Sequence, residues 1–156
     1  TGGHIDQSLF ARTILEEKNG PPPEVNLFNE KNNGESVLSL IEKDYIKSAH
    51  DVSLGGIITA ISKMSIKGNK GIKLKKSKNL INEIEYLFAE DQGRYIIEVN
   101  KKDLKEVTKI LDKNSVHHEE LGIITDKDVI INEKTKLTID ELKSYNTNWL
   151  TEYMSS

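Results

Sequence analysis

The stretch His-Asp-Val-Ser-Leu-Gly-Gly at residues 50–56 constrains this chain most, because it separates two elements of different kinds. Residues 46–52 read as a short strand, and apolar residues at helical spacing predict a helix over residues 55–67. The start of such a helix exposes unpaired N–H groups and the positive end of the dipole, which suits an anion such as phosphate. Glycine there lets the backbone approach a ligand closely. The pattern therefore favours a strand–turn–helix unit with an anion-binding turn.

Composition narrows the class of protein. The 156 residues are enough for one domain with a core of its own, and the net charge of −3 argues against a nucleic-acid or anionic-membrane surface. The lack of cysteine excludes disulfides, thiolate metal sites and a cysteine nucleophile. No apolar run approaches the roughly 20 residues of a membrane span, and no signal peptide is visible. We therefore expect a cytoplasmic protein without nucleic-acid or membrane partners. Because the sequence begins at Thr1 without an initiator Met, we expect a piece of a longer protein or a trimmed one.

Apolar spacing and turn residues predict a single α+β domain over residues 1–156, in which helices pack against a mixed sheet. The predicted helices cover residues 6–18, 27–43, 55–67, 80–87 and 103–113, and a further helix starts at the capping-box spacing of residues 138–141. The predicted strands cover residues 46–52, 72–74, 95–99, 121–124, 129–131 and 136–137. The expected regions are an arm with a proline-rich connector (1–25), an α+β body (26–145) and a C-terminal tail (146–156). Trp149, Leu150 and Tyr153 of the tail are expected to dock on the body.

Several segments, taken in order, resemble the phosphoribosylformylglycinamidine synthase family of the aminoimidazole ribonucleotide synthetase superfamily. Residues 50–56 are similar to the family's His-Asp-x-Ser-Asp-Gly-Gly, and residues 88–94 to its Phe-x-Glu-x-Gln-Gly-Arg loop. The other similar segments are Gln7-Ser8-Leu9-Phe10, Gly20-Pro21-Pro22-Pro23-Glu24-Val25-Asn26-Leu27, Asn33-Gly34 with Val37 and Leu40-Ile41, and Trp149-Leu150 with Tyr153-Met154. Two positions depart from the pattern, since Leu54 replaces the usual Asp and Asp6 the usual Gly. The resemblance spans essentially the whole chain.

The resemblance implies a C-terminal fragment of an ATP-dependent carbon–nitrogen ligase (an amidoligase) of purine biosynthesis. The implied fold is the superfamily's C-terminal domain, partly ferredoxin-like in topology. The implied reaction converts formylglycinamide ribonucleotide, ATP and glutamine-derived ammonia to formylglycinamidine ribonucleotide, ADP and phosphate. The implied cofactors of the full-length enzyme are ATP and Mg²⁺. The implied partners are the remaining domains of the synthase, a glutaminase subunit and a small accessory subunit.

In this superfamily the catalytic His, the Mg²⁺ carboxylates and most ATP contacts lie in N-terminal-type domains, which this chain lacks. We therefore expect no catalytic residue, no metal site and no bound cofactor in the fragment, which should be inactive alone.

Two interpretations remain open for His50, Asp51, Ser53, Gly55 and Gly56. In the first, the turn lies close to a substrate or nucleotide phosphate. In the second, it is a helix cap in which the Ser53 hydroxyl accepts an unpaired N–H, and His50 and Asp51 are hydrogen-bonded to the turn. The departure at Leu54 removes a carboxylate, which weakens any catalytic or metal role there.

The loop before the third predicted strand carries the second group of candidate residues. Glu90, Gln92, Gly93 and Arg94 contact substrate or phosphate in one interpretation and form a salt-bridged polar loop in the other. Arg94 is one of only two arginines, and arginine binds carboxylate and phosphate in a fixed bidentate geometry. By contrast, His117 and His118 do not predict a metal site, because adjacent strand residues point to opposite faces.

Two alternatives to the synthase remain. The chain could belong to another ATP-using enzyme of the superfamily, such as aminoimidazole ribonucleotide synthetase or a selenophosphate or thiamine-phosphate enzyme. It could also be a non-catalytic interaction domain. The triple-proline segment and the Glu-Asp-Gln-Gly-Arg loop favour the formylglycinamidine branch.

Overall fold

Helices and strands alternate along the computed structural model, which describes residues 1–76 and 82–155. The helices are α1 (Leu9–Thr13), α2 (Leu27–Glu42), α3 (Gly56–Gly68), α4 (Glu83–Phe88), α5 (Leu104–Lys113) and α6 (Ile139–Ser155). The strands are β1 (Ile46–Val52), β2 (Gly71–Leu74), β3 (Arg94–Val99), β4 (Gly122–Thr125), β5 (Asp128–Ile131) and β6 (Thr135–Thr138). These elements confirm the predicted α+β class. In the described ranges, no helix has both the length and the apolarity that crossing a membrane requires.

The chain divides into two compact units, of which the first contains Thr1–Ala60 and the described residues 82–119. Its sheet pairs β1 with β3 in antiparallel fashion, with His50 opposite Ile96 and Val52 opposite Arg94. Because β1 ends beside the start of β3, this pairing brings the turn after β1 close to the loop before β3.

The core of the first unit is apolar and lies between helices and sheet. Leu40 of α2 is fully buried, and Val107 and Leu111 of α5 join it. Spacing of four residues puts the two α5 side chains on one face, which is the amphipathic pattern that the sequence predicts for this helix. Ile97 and Val99 of β3 pack against the same cluster.

The second unit contains the described residues 61–76 and 120–155. Its sheet has the order β4-β2-β5-β6, with β2 and β5 parallel and the other neighbours antiparallel. Val129 in β5 is fully buried, as the side chain of a central strand should be.

A capping box opens the last helix, as its spacing predicts. The backbone N–H of Thr138 donates to Glu141 Oε2 at 2.8 Å, and the N–H of Glu141 donates to Thr138 Oγ1 at 3.2 Å. The N–H and the hydroxyl of Thr138, which both donate to Glu141 Oε2, lower the pKa of Glu141. The prediction that a helix starts here is confirmed.

Two predicted helices differ in length from those of the structure. The sequence predicts a first helix over residues 6–18, but α1 covers only Leu9–Thr13, and Glu16, within the predicted range, has a positive φ of 58° that is not helical. Residues 80 and 81 of the predicted 80–87 helix lie outside the described residues, and α4 starts at Glu83 after an Asn82 cap. The expected docking of the side chains of Trp149, Leu150 and Tyr153 is wrong. Residues 146–155 continue α6, and Trp149, Leu150 and Tyr153 are 60%, 54% and 70% exposed rather than docked.

Candidate functional site

Two glycines at the end of the 50–56 motif adopt backbone conformations that other residues rarely take. Gly55 has φ 81° and Gly56 has φ 69°. A Cβ atom on Gly56 would lie 2.6 Å from the carbonyl oxygen of Leu87 and 2.7 Å from the carbonyl carbon of Phe88. The turn therefore needs glycine for both its dihedral angles and its close approach to the end of α4.

The N–H groups of both glycines are paired inside the chain. Gly55 N donates to Glu90 Oε1 at 2.8 Å, and Gly56 N donates to the carbonyl oxygen of Ser53 at 3.0 Å. The Ser53 contact is thus a backbone turn in which the carbonyl oxygen accepts, not the side-chain cap of the second interpretation. These two donors are therefore already bonded within the chain, and the carboxylate of Glu90 is itself the anion beside Gly55.

The two polar side chains before the turn lie close to each other and near solvent. His50 Nδ1 is 2.6 Å from the carbonyl oxygen of Asp51 and 3.4 Å from its Oδ1. Asp51 and Ser53 are exposed, as is Leu54, which stands at the family's usual Asp position. The structure gives this pair a local hydrogen bond and a solvent-facing position.

Glu90 joins two parts of the chain that are far apart in sequence. Its Oε1 accepts the N–H of Leu9 at 2.7 Å as well as that of Gly55 at 2.8 Å. Its own N–H donates to the carbonyl oxygen of His4 at 3.1 Å. Of the candidate residues, the structure therefore brings Glu90 and the 50–56 motif into direct contact.

The next residue, Asp91, holds the first residues of the chain. Its carboxylate accepts the Thr1 hydroxyl, the Gly2 N–H at 3.2 Å and the His4 N–H at 3.3 Å. Burial raises the pKa of Asp91, but these hydrogen bonds and the charge of Arg94 outweigh burial and leave it below its usual value.

Arg94 points into its own loop. Its Nη2 donates to the carbonyl oxygen of Ala89 at 2.6 Å, and its Nε donates to that of Asp91 at 3.1 Å. Its side chain is only 15% exposed, and Nη1 has no hydrogen-bond partner within the described part of the chain. Burial lowers the pKa of the guanidinium, although the nearby carboxylates of Asp91 and Glu90 oppose this. The arginine therefore holds the loop closed through backbone carbonyls.

The other two loop residues differ in environment. Gln92 is exposed, whereas Gly93 has φ 65° and accepts a hydrogen bond from Asn33 Nδ2 at 3.0 Å. A Cβ on Gly93 would come within 3.2 Å of the Cα of Glu30. Gln92 is thus the loop residue whose side chain remains available to solvent.

A buried hydroxyl lies in the same unit. Tyr86 of α4 donates to Glu119 Oε1 at 2.6 Å. Burial raises the pKa of Tyr86 well above its usual range, and the Glu119 hydrogen bond and charge raise it further. Tyr86 is therefore a neutral donor that fixes α4, not a titrating group at neutral pH.

No cluster of three metal-binding side chains occurs among residues 1–76 and 82–155. His118 Nδ1 lies 3.0 Å from the carbonyl oxygen of Val116, and its Nε2 lies 3.9 Å from Asp112 Oδ1. These contacts give the His118 side chain a structural role.

Sequence reasoning missed Asp91, Leu9 and the segment from Thr1 to His4. The sequence predicts the two strands that flank these loops, and their antiparallel pairing in the structure is what brings the loops together. The backbone donors from the start of the chain leave no residue-type signature, so nothing in the sequence points to them.

Three comparisons with known proteins bear on this geometry. Residues 2–132 match the family "AIR synthase related protein, C-terminal domain". The chain is 68% identical over all its 156 residues to Phosphoribosylformylglycinamidine synthase subunit PurL of Pelagibacter ubique, of which it covers 21%. Two solved structures share the fold. PurL of Thermotoga maritima complexed with FGAR has a TM-score of 0.71 at 19% identity, with 85% of this chain and 24% of that chain covered. The same protein complexed with ATP has a TM-score of 0.66 at 18% identity, covering 90% and 24%.

These similarities confirm the resemblance that the motifs carry, together with the C-terminal-domain fold that it implies. The chain spans about a fifth of the length of the curated relative.

Proposed function

We propose that this chain forms the C-terminal part of a phosphoribosylformylglycinamidine synthase subunit. The proposal starts from its family, since the chain belongs to the AIR synthase related proteins as their C-terminal domain. The 68% identity to the Pelagibacter ubique subunit over the whole chain is the single observation that carries this proposal. The whole protein would be an ATP-dependent amidoligase of purine biosynthesis.

The proposed reaction of the whole protein has two steps. The amide oxygen of formylglycinamide ribonucleotide attacks the γ-phosphorus of ATP, and ADP leaves. Ammonia then adds to the activated carbon and inorganic phosphate leaves, which gives the amidine. Mg²⁺ would neutralise the phosphate charges during the first step.

By themselves, the described residues of this chain form no Mg²⁺ site, and the glycine N–H groups of the 50–56 turn are not free for a phosphate. The described residues contain no three-residue group for a metal, and the N–H groups of Gly55 and Gly56 already bond to Glu90 and Ser53. We therefore place these cofactors on other parts of the full-length protein, and we assign no step of the reaction to a residue of this chain.

The geometry favours a supporting role for five of the nine candidate residues. Glu90, Gly55 and Gly56 hold the turn against the loop, and Gly93 and Arg94 hold the loop itself. The remaining candidates have side chains at or near the surface: His50, Asp51, Ser53 and Gln92. A phosphate-proximal position for those four stays a prediction, which substitution in the full-length protein would test.

An activity assay tests the proposed function. The full-length protein that carries this chain, given ATP, Mg²⁺, ammonia and formylglycinamide ribonucleotide, should form the amidine and release ADP and phosphate in equal amounts. The isolated chain should form none, and calorimetric titration with ADP and Mg²⁺ should show no binding. A full-length protein that leaves formylglycinamide ribonucleotide unchanged would sink the proposal. Amidine formation by the isolated chain would overturn the supporting role.

We also propose that a glutaminase subunit supplies the ammonia and that a small accessory subunit completes a cytoplasmic complex. The relative is named as a subunit, which supports assembly into something larger. Affinity purification of the full-length protein from its own cells should recover a glutamine-hydrolysing partner, and recovery of the protein alone would count against this.

A further inference from the structure

The first nine residues of the chain, here called the N-terminal segment, are held by two consecutive carboxylates. Asp91 accepts hydrogen bonds from Thr1, Gly2 and His4, and Glu90 accepts the N–H of Leu9. The carbonyl oxygen of His4 accepts the N–H of Glu90 in return. The backbone of the N-terminal segment is therefore held by this carboxylate pair, while the side chains of Gln7 and His4 bond to the carbonyl oxygens of Lys18, Gly20 and Pro21.

Glu90 differs from Asp91 in one respect, because a single oxygen serves two segments. Its Oε1 is 2.7 Å from Leu9 N and 2.8 Å from Gly55 N. Hydrogen bonds to a charged acceptor are stronger than those between neutral groups, and removing one partner costs more. Because Glu90 Oε1 accepts both hydrogen bonds, each donor helps to hold this oxygen in place for the other donor.

We propose that Glu90 is a positioning residue that couples the N-terminal segment to the 50–56 motif, so that the two are ordered or released together. The inference rests on the contacts of Glu90 and does not depend on the proposed function. All three participating groups lie in the same compact unit.

The fold offers a test that removes one donor without changing the acceptor. Leu9 is the first residue of α1, a position where proline is well tolerated because its N–H has no helical partner. The preceding residue, Ser8, has φ −64° and ψ 161°, which is the extended conformation that a following proline requires. Leu9→Pro therefore deletes the N–H that bonds to Glu90, while Leu9→Ala keeps it and removes only a partly exposed side chain.

The readout is hydrogen exchange of the Gly55 amide in the full-length protein, resolved to single residues by mass spectrometry. Leu9→Pro should speed exchange at Gly55 by at least about twofold relative to Leu9→Ala, a coupling of the size seen within one hydrogen-bond network. Equal exchange in the two variants would overturn the proposal, because Gly55 would then not sense the Leu9 donor.

A second variant covers the case in which Leu9→Pro does not fold. Glu90→Asp shortens the side chain by one methylene and so moves the shared oxygen away from both donors. The amides of Leu9 and Gly55 should both exchange roughly tenfold faster or more, as expected when a hydrogen bond to a charged group is lost. Glu24→Ala, an exposed glutamate on the proline-rich connector, is the matched control and should leave both amides unchanged. Faster exchange at only one of the two amides in Glu90→Asp would contradict the coupling.

Discussion

Replacing each of the two terminal glycines of α3 by alanine should have opposite effects on stability. At Gly56, alanine must adopt a φ of 69°, and left-handed geometry costs an L-residue about 1–2 kcal/mol. Its Cβ would also lie 2.6–2.8 Å from three backbone atoms of Leu87 and Phe88, which cannot rotate away as a side chain can. Relieving such an overlap adds about 1–3 kcal/mol.

At Gly68, by contrast, a Cβ meets no atom within 4 Å and the backbone angle is ordinary. Alanine there gains helix propensity and restricts the unfolded chain, so it should stabilise by about 0.4–1 kcal/mol. The pair is well matched, since both substitutions add the same methyl group to the same helix.

Urea unfolding of the chain, followed by circular dichroism at 222 nm, measures both changes. Gly56→Ala should lower the free energy of unfolding by about 2–4 kcal/mol, after allowing for the smaller unfolded-state gain, and lower Tm by roughly 4–16 °C. Gly68→Ala should raise both quantities slightly. A Gly56→Ala chain within about 0.5 kcal/mol of the parent, or as stable as Gly68→Ala, would refute the steric reasoning.

Three further predictions concern other parts of the molecule. Arg94→Lys should destabilise the chain by about 1–3 kcal/mol in urea unfolding, because the single nitrogen of lysine cannot take the places of both Nε and Nη2. Arg12→Lys at the surface should stay within ~0.5 kcal/mol, and equal effects would argue against the inward role of Arg94. The folded-state pKa of Asp91 lies below its usual 3.8, so the contribution of Asp91 to stability is present above about pH 4 and is lost as the pH falls through the folded-state value. Asp91→Asn should therefore show a shallower loss of stability in acid than the parent, and unchanged acid slopes would contradict this. Trp149, the only tryptophan, is 60% exposed, so acrylamide should quench its fluorescence strongly in the isolated chain; a shielded, blue-shifted emission would mean that α6 is docked after all.

Local patterns made much of this fold predictable. The limits of β1 follow from its sequence, and α2, α3 and α5 follow from apolar spacing and from flanking glycines and caps. The capping box at Thr138 is similarly local. Each of these signals depends on residues within a few positions of one another.

The failures have physical causes that act over longer distances or in single dihedral angles. Glu16, inside the predicted first helix, has a left-handed conformation, and nothing about a glutamate residue predicts such a conformation. The docking expected of Trp149 assumed that large apolar side chains seek burial, yet α6 leaves them exposed in this chain. The contacts of Glu90 with Leu9 and Gly55 use backbone donors, so side-chain identity at those positions carries no signal for them.

The central claim is that the 50–56 motif supports the fold and supplies no catalytic acid or base. The most direct test is amidine formation by the full-length protein carrying His50→Ala or Asp51→Asn, since neither side chain holds the core. The account predicts that kcat/KM stays within about threefold of the parent value in both variants. A loss of about a hundredfold or more in either, the size expected for a general acid or base, would contradict it.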